Sequence, residues 1–369
     1  MDYIKHYGVK FEKGVQAFYQ KMKVQYRLYN ETKTIASHLK GDVQLSKEQK
    51  KQIRDFYSPY FKVDKHTYTA HLYYLQKTGV FDVKYVPDPI WYAYIDPYFN
   101  NWTLDKYLDN KCFYSRIFPN IKMPKNLFYR INGFWYNEND EIVSEEYVKQ
   151  FVLNNKSDLF FKNGDAYFGC GSGVTYYNPQ EDNFSKIDHV FSGRFDYVIQ
   201  EAIKQHPILS QINTSSVNTI RTLSLLKKDG TVKIYSSVLR MGRHGKKLDN
   251  TSAGGVSCGI NENGLLKKYG YNRWGERIDR HPDSSFIFED TIIPGYTKAI
   301  QLISRAATMI PHFRLVSWDI AIDESGEPIL IEMNSAYGGP ELHQFSNGPI
   351  FGEDTEEILE EVFGNNKKV

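Results

Sequence analysis

"VSWDIAIDESGEPILIEMN", residues 316–334, decides the fold. The run reads as two short strands, "VSWDIAID" and "PILIEMN", closed by a turn at Ser325 and Gly326. A two-residue loop there pairs Glu324 with Glu327, and counting outward sets Asp319 opposite Glu332 and Ser317 opposite Asn334. Alternation then places Asp319, Glu332 and Asn334 on one face, with Trp318, Ile320, Ile331 and Met333 on the other. Carboxylates opposed across a ladder lie with Cβ atoms roughly 4.5–5.5 Å apart, where like charges destabilise the pair. A cation between them removes the conflict. Two carboxylates and an amide form an all-oxygen set suited to Mg2+, a hard ion held by one or two carboxylates together with phosphate oxygens and water. Asp319, Glu332 and Asn334 are therefore candidate metal ligands. For the hairpin taken alone, an acidic strand face open to solvent is the alternative.

A second hairpin is written into "VNTIRTLSLLKKDGTVKIYSSVLRMG", residues 217–242, where Asp229-Gly230 is a strong turn signal between alternating apolar runs. Pairing Lys228 with Thr231 sets Arg221 opposite Val238 and Arg240 opposite Thr219, so both guanidinium groups emerge on one face as diagonal neighbours. Two cations held together call for an anion, and guanidinium forks suit phosphate oxygens or a tetrahedral oxyanion. An exposed basic strand face is the plain alternative.

Between residues 158 and 177, "DLFFKNGDAYFGCGSGVTYY" reads as a strand carrying Lys162, a loop with Gly169, Gly171 and Gly173, and a second strand. Such a loop lets backbone N–H groups converge on a phosphate. It is neither a Walker A loop, because no Gly-Lys-Ser/Thr follows, nor a dinucleotide fingerprint, because Val174 replaces the last glycine. Cys170 stands where a nucleophile elbow needs glycine. A flexible hairpin tip is the alternative.

The rest of the chain bounds these motifs. Of 369 residues about two-fifths are apolar, enough for more than one domain. With 46 basic and 44 acidic side chains the balance is near neutral, which predicts neither a nucleic-acid footprint nor a membrane-surface patch. The 28 Tyr and 23 Phe are spread without interleaved Arg and Lys, so they read as core and cleft packing. Cys112, Cys170 and Cys258 match neither a disulfide framework nor zinc spacing, which suggests a reducing compartment. The charged N-terminus lacks the apolar run of a signal peptide, and no stretch approaches the roughly 18 apolar residues of a membrane span. A cytoplasmic location is expected. Val15, Phe18, Met22, Tyr26 and Tyr29 recur at helical spacing, and "SKEQKKQIRDFYSPYF" opens on Ser46 as a plausible N-cap. The prolines of "VPDPIWYAYIDPYFNNW" mark a linker or an irregular packed segment. From about residue 105 short strands mix with helices, an α+β texture. The expected division is a mainly helical region over 1–105 followed by 106–369, itself split into 106–199 and 200–369.

Taken in order, these pieces resemble the ATP-grasp superfamily, and within it the sugar-transfer-associated ATP-grasp proteins, from roughly residue 60 onward. "LDNKCFYSRIFPNIKMPKNL" resembles the Asp-x-Lys element that opens the grasp fold, with Lys111 matching its phosphate-contacting lysine. "FFKNGDAYFGCGSGV" is similar to the second lysine strand and glycine loop, which implies that Lys162 contacts phosphates beneath Gly171, Ser172 and Gly173. "YVIQEAIKQHP" looks like the hinge, so Gln200, Glu201 and Ile203 would line an adenine pocket. His206 would approach the ribose or serve the structure. Arg221, Arg240, Asp249, Asn250, Gly254 and Gly255 match the branch signature, with Arg221, Arg240 and Asn250 as candidate catalytic residues, and Asp319, Glu332 and Asn334 match the superfamily metal motif. Many ligases of the superfamily carry an arginine two residues before the metal Asp, where this chain has Ser317. The resemblance implies ATP and Mg2+ as cofactors and an α+β ATP-grasp fold. It also implies ligation of a small-molecule carboxylate, such as a sugar acid of a surface polysaccharide, to an amine through an acylphosphate. A small-molecule kinase and a nucleotide-responsive binding protein use the same apparatus and are the alternative readings. Neither nucleic acid nor a membrane span enters these expectations, and the sequence does not set the oligomeric state.

Overall fold

The computed structural model of the chain describes residues 2–164, 173–193, 195–249 and 254–364; for residues 2–17 and for Lys106 it describes the backbone alone. The chain separates into two compact units, residues up to 98 together with those from 339 onward, and residues 99–338.

The first unit is helical. Its helices run over Asp2–Ala36, Lys47–Tyr57, Lys65–Thr78, Glu341–Asn347 and Thr355–Phe363. Ser46 caps the second helix as its sequence suggests: its hydroxyl accepts from Gln49 N at 3.1 Å while the Gln49 side chain accepts from Ser46 N at 2.9 Å. The proline-rich stretch folds as a packed segment, a short turn of helix at Asp88–Ile90 running into a π-helix at Trp91–Ile95. Tyr74 stacks on Tyr85 with centroids 4.7 Å apart, and Trp91 stacks on Phe351. The Gln344 amide accepts from Val86 N and donates to Val86 O, which ties the end of the chain to this segment.

The second unit holds two antiparallel sheets and fulfils the α+β expectation. Strands β1 (Asn126–Ile131), β2 (Phe134–Asn137), β3 (Ile142–Val143), β4 (Leu159–Asn163), β5 (Val174–Tyr177) and β6 (Tyr197–Glu201) form the first, in the order β3-β2-β1-β6-β4-β5. Leu159, Phe161, Trp135 and Ile199 pack on one side of it with Val148, Val152 and Phe191 from two helices. Alternation turns Phe160, Lys162, Tyr176, Val198 and Gln200 to the other side. The second sheet contains β7 (Thr219–Leu226), β8 (Val232–Met241), β9 (Val256–Ile260), β10 (Leu266–Asn272), β11 (Arg277–Ile278), β12 (Leu315–Ile322) and β13 (Pro328–Asn334), ordered β11-β10-β9-β8-β7-β12-β13. Its core face, with Ile220, Leu239, Trp318, Ile320 and Met333, packs against Ala299, Leu302, Ile303 and Ala306 of the helix Tyr296–Met309.

Both hairpins keep the expected register where the polar residues lie, and both differ at the tip. Asp319 opposes Glu332, Ser317 opposes Asn334 and Arg240 opposes Thr219. The turns, however, close one residue further in. Asp323 N donates to Glu327 O and Lys227 N to Thr231 O, which leaves three-residue loops with Gly326 and Gly230 at φ 82° and 85°. The pairings Glu324 with Glu327 and Lys228 with Thr231 do not form. The physical reason lies in the aspartates. The Asp229 side chain accepts from Thr231 N and Oγ1, and Asp323 accepts from the N–H groups of Ser325 and Glu327, so a type I turn followed by a left-handed glycine is favoured. A bulge in each hairpin restores the register, at Tyr235 and at Ile331. The second bulge moves Ile331 off the core face, where strict alternation had placed it.

Candidate active site

Sheet order assembles the site. Because β8, β7, β12 and β13 are successive neighbours, Arg240, Arg221, Asp319, Glu332 and Asn334 form one strip on the face opposite the core. Asp319, only 4% exposed, sits at its centre. Arg221 holds it with a fork, Nε to Oδ1 at 2.8 Å and Nη2 to Oδ2 at 2.7 Å, and Arg240 Nη1 adds a bond to Oδ2 at 2.9 Å. Burial alone would push this carboxyl up, but the charges and hydrogen bonds of the two arginines outweigh it and hold Asp319 well below the usual carboxylate range. Asn334 turns its oxygen to Arg221 Nη2 at 3.3 Å and donates to Ser317 O at 3.0 Å. Arg240 also reaches Asp249, Nη2 to Oδ1 at 3.5 Å, and the Thr219 hydroxyl donates to the same carboxylate.

Two lysines complete the cation set. Lys111 opens a 3₁₀ turn, Lys111–Phe113, and its Nζ meets Glu332 Oε1 at 2.6 Å. Burial opposes its charge, yet Glu332 and Asp109 hold the ammonium above its ordinary range. The turn is fixed from below: Lys111 N donates to Gly164 O, and Asn110 Nδ2 donates to Asp196 Oδ2 at 3.1 Å. A Cβ on Gly164 would lie 2.8 Å from both Asn110 Oδ1 and Cys112 Sγ, so only glycine fits at the root of the loop that follows β4. Asn163 N donates to Gly173 O at 2.7 Å and closes the base of that loop. Lys162 differs from the other cations. Among the described residues no carboxylate lies within ion-pair distance of it, and burial, reinforced by Lys111, pushes its ammonium down to about 8.

A cavity of about 300 Å³ is walled by Lys111, Tyr114, Asn126 and Gln200 and by Leu330 and Ile331 of the β12–β13 hairpin. Gln200 is buried; its Nε2 donates to Asn126 Oδ1 at 2.7 Å while its Oε1 has no partner. The candidate residues thus converge in part. Arg221, Arg240 and Asn334 meet at Asp319, Lys111 pairs with Glu332 and feels the charge of Asp319, Lys162 lies in electrostatic reach of Lys111 and Glu332, and Gln200 shares the cavity wall with Lys111. Glu201 and Ile203 are outside the cavity wall, and Glu201 is exposed. His206 Nδ1 accepts from Ile208 N at 3.2 Å, the cap of the helix Pro207–Ile212. Gly171, Ser172 and Asn250 lie outside the described residues.

Three features were not anticipated from sequence. Tyr114 donates to Asp109 and accepts from Met333 N at 3.3 Å, which binds the lysine turn to the strand bearing Glu332; the only sequence signal was their proximity to Lys111. Ile331 reaches the cavity through its bulge, a step that alternation hides. Ser317 is fully buried beneath Gly338, whose Cβ would come within 2.8 Å of the Ser317 hydroxyl. That position has no room for an arginine, and Arg221 approaches Asp319 from the adjacent strand instead.

The donor chemistry of Asp319, Glu332 and Asn334 fits a hard divalent ion: two opposed carboxylates and an amide oxygen on one face. As they stand, these oxygens are engaged by Arg221, Arg240 and Lys111.

The sequence pattern described as sugar-transfer associated ATP-grasp matches residues 181–358, a span that holds Arg221, Arg240, Asp319, Glu332 and Asn334. No curated protein matches this chain. Among solved structures, D-alanyl-alanine synthetase A from Vibrio cholerae O1 biovar eltor is similar at 13% identity over 71% of this chain and 65% of that one, with a TM-score of 0.42. The ATP-grasp ligase PsnB complexed with minimal precursor shares 12% identity over 71% and 63%, with a TM-score of 0.40. The D-alanine-D-alanine ligase from Coxiella burnetii shares 10% over 70% and 60%, with a TM-score of 0.38. The chain therefore spans less than two thirds of the length of these structures. Over residues 181–358, a little under half of its length, the chain matches the sugar-transfer-associated ATP-grasp family.

Proposed function

We propose that the protein is an ATP-dependent carboxylate–amine ligase that joins an amine or amino acid to a sugar acid in surface-polysaccharide synthesis. The observation that carries this reading is the half-buried ammonium of Lys162, with no ion-pair partner among the described residues, beside the Lys111–Glu332 pair. Lys111, Arg221 and Arg240 are paired with Glu332, Asp319 and Asp249, whereas Lys162 makes no ion pair among the described residues and is the cation left for a phosphate oxygen. Lys111 and Lys162 would hold phosphate oxygens, and the unpartnered Gln200 Oε1 would accept from an adenine amino group. Asp319, Glu332 and Asn334 would hold Mg2+, which when bound neutralises charge on the phosphates. Arg221 and Arg240 stabilise the oxyanion formed as the carboxylate is activated and then attacked; Arg240 Nε is buried without a partner and is a donor in reserve. Gly171, Ser172 and Gly173 would close over the site and exclude water from the acylphosphate. Asn250 would take part in the same chemistry, a role its resemblance to the branch signature supports. The grasp portion would start near residue 106 and divide at 199/200, within the last strand of the first sheet, Tyr197–Glu201. A cytoplasmic location, where ATP and Mg2+ are supplied, completes the proposal. The sugar-acid substrate is supported by the family description alone.

A screen of amino acids against sugar acids and their nucleotide-linked forms tests this. ADP should appear only when acid and amine are present together, with an amide product by mass spectrometry, and Glu332→Gln should abolish both. ADP formed with a single substrate would mean a kinase, and no ADP with any pair would end the ligase reading.

A further inference from the structure

The helix Asp2–Ala36 packs on its unit by one side. Leu28 and Ile35 are buried, Val24, Arg27, Glu31 and Thr32 are half-buried, and Thr32 Oγ1 lies 2.6 Å from the His66 ring nitrogen. At about 100° per residue these positions cluster on one side of the cylinder. Phe18, Tyr19, Met22, Tyr26 and Tyr29 fall on the opposite side and are 65, 57, 56, 69 and 56% exposed. In the sequence the same three-and-four spacing runs back through Val15, Phe11, Tyr7 and Ile4. Lys21 and Lys23 flank the exposed stripe, one on either edge, and Lys23 Nζ lies 4.5 Å from the centroid of the Tyr19 ring.

Charge is distributed as unevenly as apolar surface. Residues 1–36 contain seven Lys and Arg against three Asp and Glu, a net of +4, while the whole chain nets +2, so the remainder carries −2. The near-neutral total averages two unequal parts.

We propose that this helix lies in the surface of an anionic lipid bilayer, with its aromatic stripe among the headgroups and acyl boundary and its lysines on the lipid charges. A basic helix with a narrow apolar face binds in this way. Tyrosine rings suit the headgroup level, and lysine stems bury along the stripe while their ammonium groups stay in water. A second copy of the helix is the poorer occupant, because each would bring the same +4 and because the stripe lacks the Leu and Ile seam of a coiled coil. No described helix is long and apolar enough to cross a membrane, so the contact is peripheral. The inference is independent of the ligase reading.

Co-sedimentation of the full chain with vesicles tests it. The protein should pellet with phosphatidylcholine–phosphatidylglycerol vesicles, stay in solution with phosphatidylcholine alone, and lose affinity as salt is raised. Phe18→Ser/Met22→Ser/Tyr26→Ser should weaken binding at least tenfold, and Lys21→Glu/Lys23→Glu should do so for the anionic vesicles. These side chains are exposed, so the melting temperature should be unchanged, which separates lost binding from lost fold. Wild-type protein that ignores both vesicles overturns the proposal. So does a lipid-free dimer that the triple serine variant converts to monomer, since a second copy would then own the stripe.

Discussion

Lys162→Met should stabilise the protein while removing its response to nucleotide. The lysine is half-buried on the side of the first sheet away from its core, with no ion-pair partner among the described residues, and its ammonium is held at about 8 against an ordinary 10.5. At about 1.4 kcal/mol per pH unit, that displacement corresponds to roughly 3 kcal/mol spent keeping the charged form in the folded state. Methionine has a similar length and volume and no charge, so the repacking cost should stay below about 1.5 kcal/mol. The sign with pH follows from the lowered value. Below pH 8 both folded and unfolded chains carry the proton and the full penalty applies. Between 8 and 10.5 the unfolded chain binds the proton and the folded one does not, so wild-type stability gains with rising pH. The advantage of the variant should therefore be greatest near pH 7 and shrink toward pH 10. Urea midpoints at both values, with and without ATP and Mg2+, read this directly, because other titrating groups cancel in the difference between the two proteins. ATP should raise the wild-type midpoint and leave the variant unmoved. A variant less stable than wild type at pH 7, or a difference that ignores pH, would refute the uncompensated charge.

The opposite sign is expected at the centre of the strip. Asp319→Asn leaves Arg221 and Arg240 without their shared anion and should cost about 3–5 kcal/mol in the same assay. Gly338→Ala would bring a methyl within 2.8 Å of Ser317 Oγ and 3.0 Å of Ser317 Cβ, a clash worth about 1–3 kcal/mol; a double-mutant cycle with Ser317→Gly should return most of it. In the helical unit, burial and then the charge of Glu341 raise the Glu31 carboxyl to about 7. Its folded value lies above its ordinary 4.5, so its contribution is complete below 4.5 and is lost as pH rises through 7. Discounted for its partial exposure, the loss is on the order of 1–2 kcal/mol, and Glu31→Gln should flatten the pH profile of thermal stability between 5 and 8.

The polar register of both hairpins was legible because strand alternation has only two phases, and the apolar residues that flank Arg221, Arg240, Asp319 and Glu332 choose between them. The tips were not, because Asp-Gly supports both a two-residue turn and the longer turn that the aspartate side chains cap. The neutralisation of the site was also hidden. Read separately, one hairpin asks for an external cation and the other for an external anion; β7 pairs with β12, so Arg221 meets Asp319 and each satisfies the other. That depends on sheet order, which neither hairpin contains. Lys111 meets Glu332 across 221 residues, and Gln344 meets Val86 across 258, contacts that no local pattern encodes. Helical spacing identified Phe18, Met22, Tyr26 and Tyr29 as one face of a helix, while periodicity says nothing of whether such a face is covered.

In each of the two hairpins, the extra residue of the turn and the bulge below it act as an expansion joint. A change in length at Ser325 or Lys228 can be taken up in the few pairs between tip and bulge, and it need not travel to the residues beyond. The tips are accordingly the places to graft a fluorophore or a tether without disturbing the charged strip. The stretch from Glu332 to Asn334 has no such slack, and a single insertion just before Glu332 would turn Glu332 and Asn334 away from Asp319.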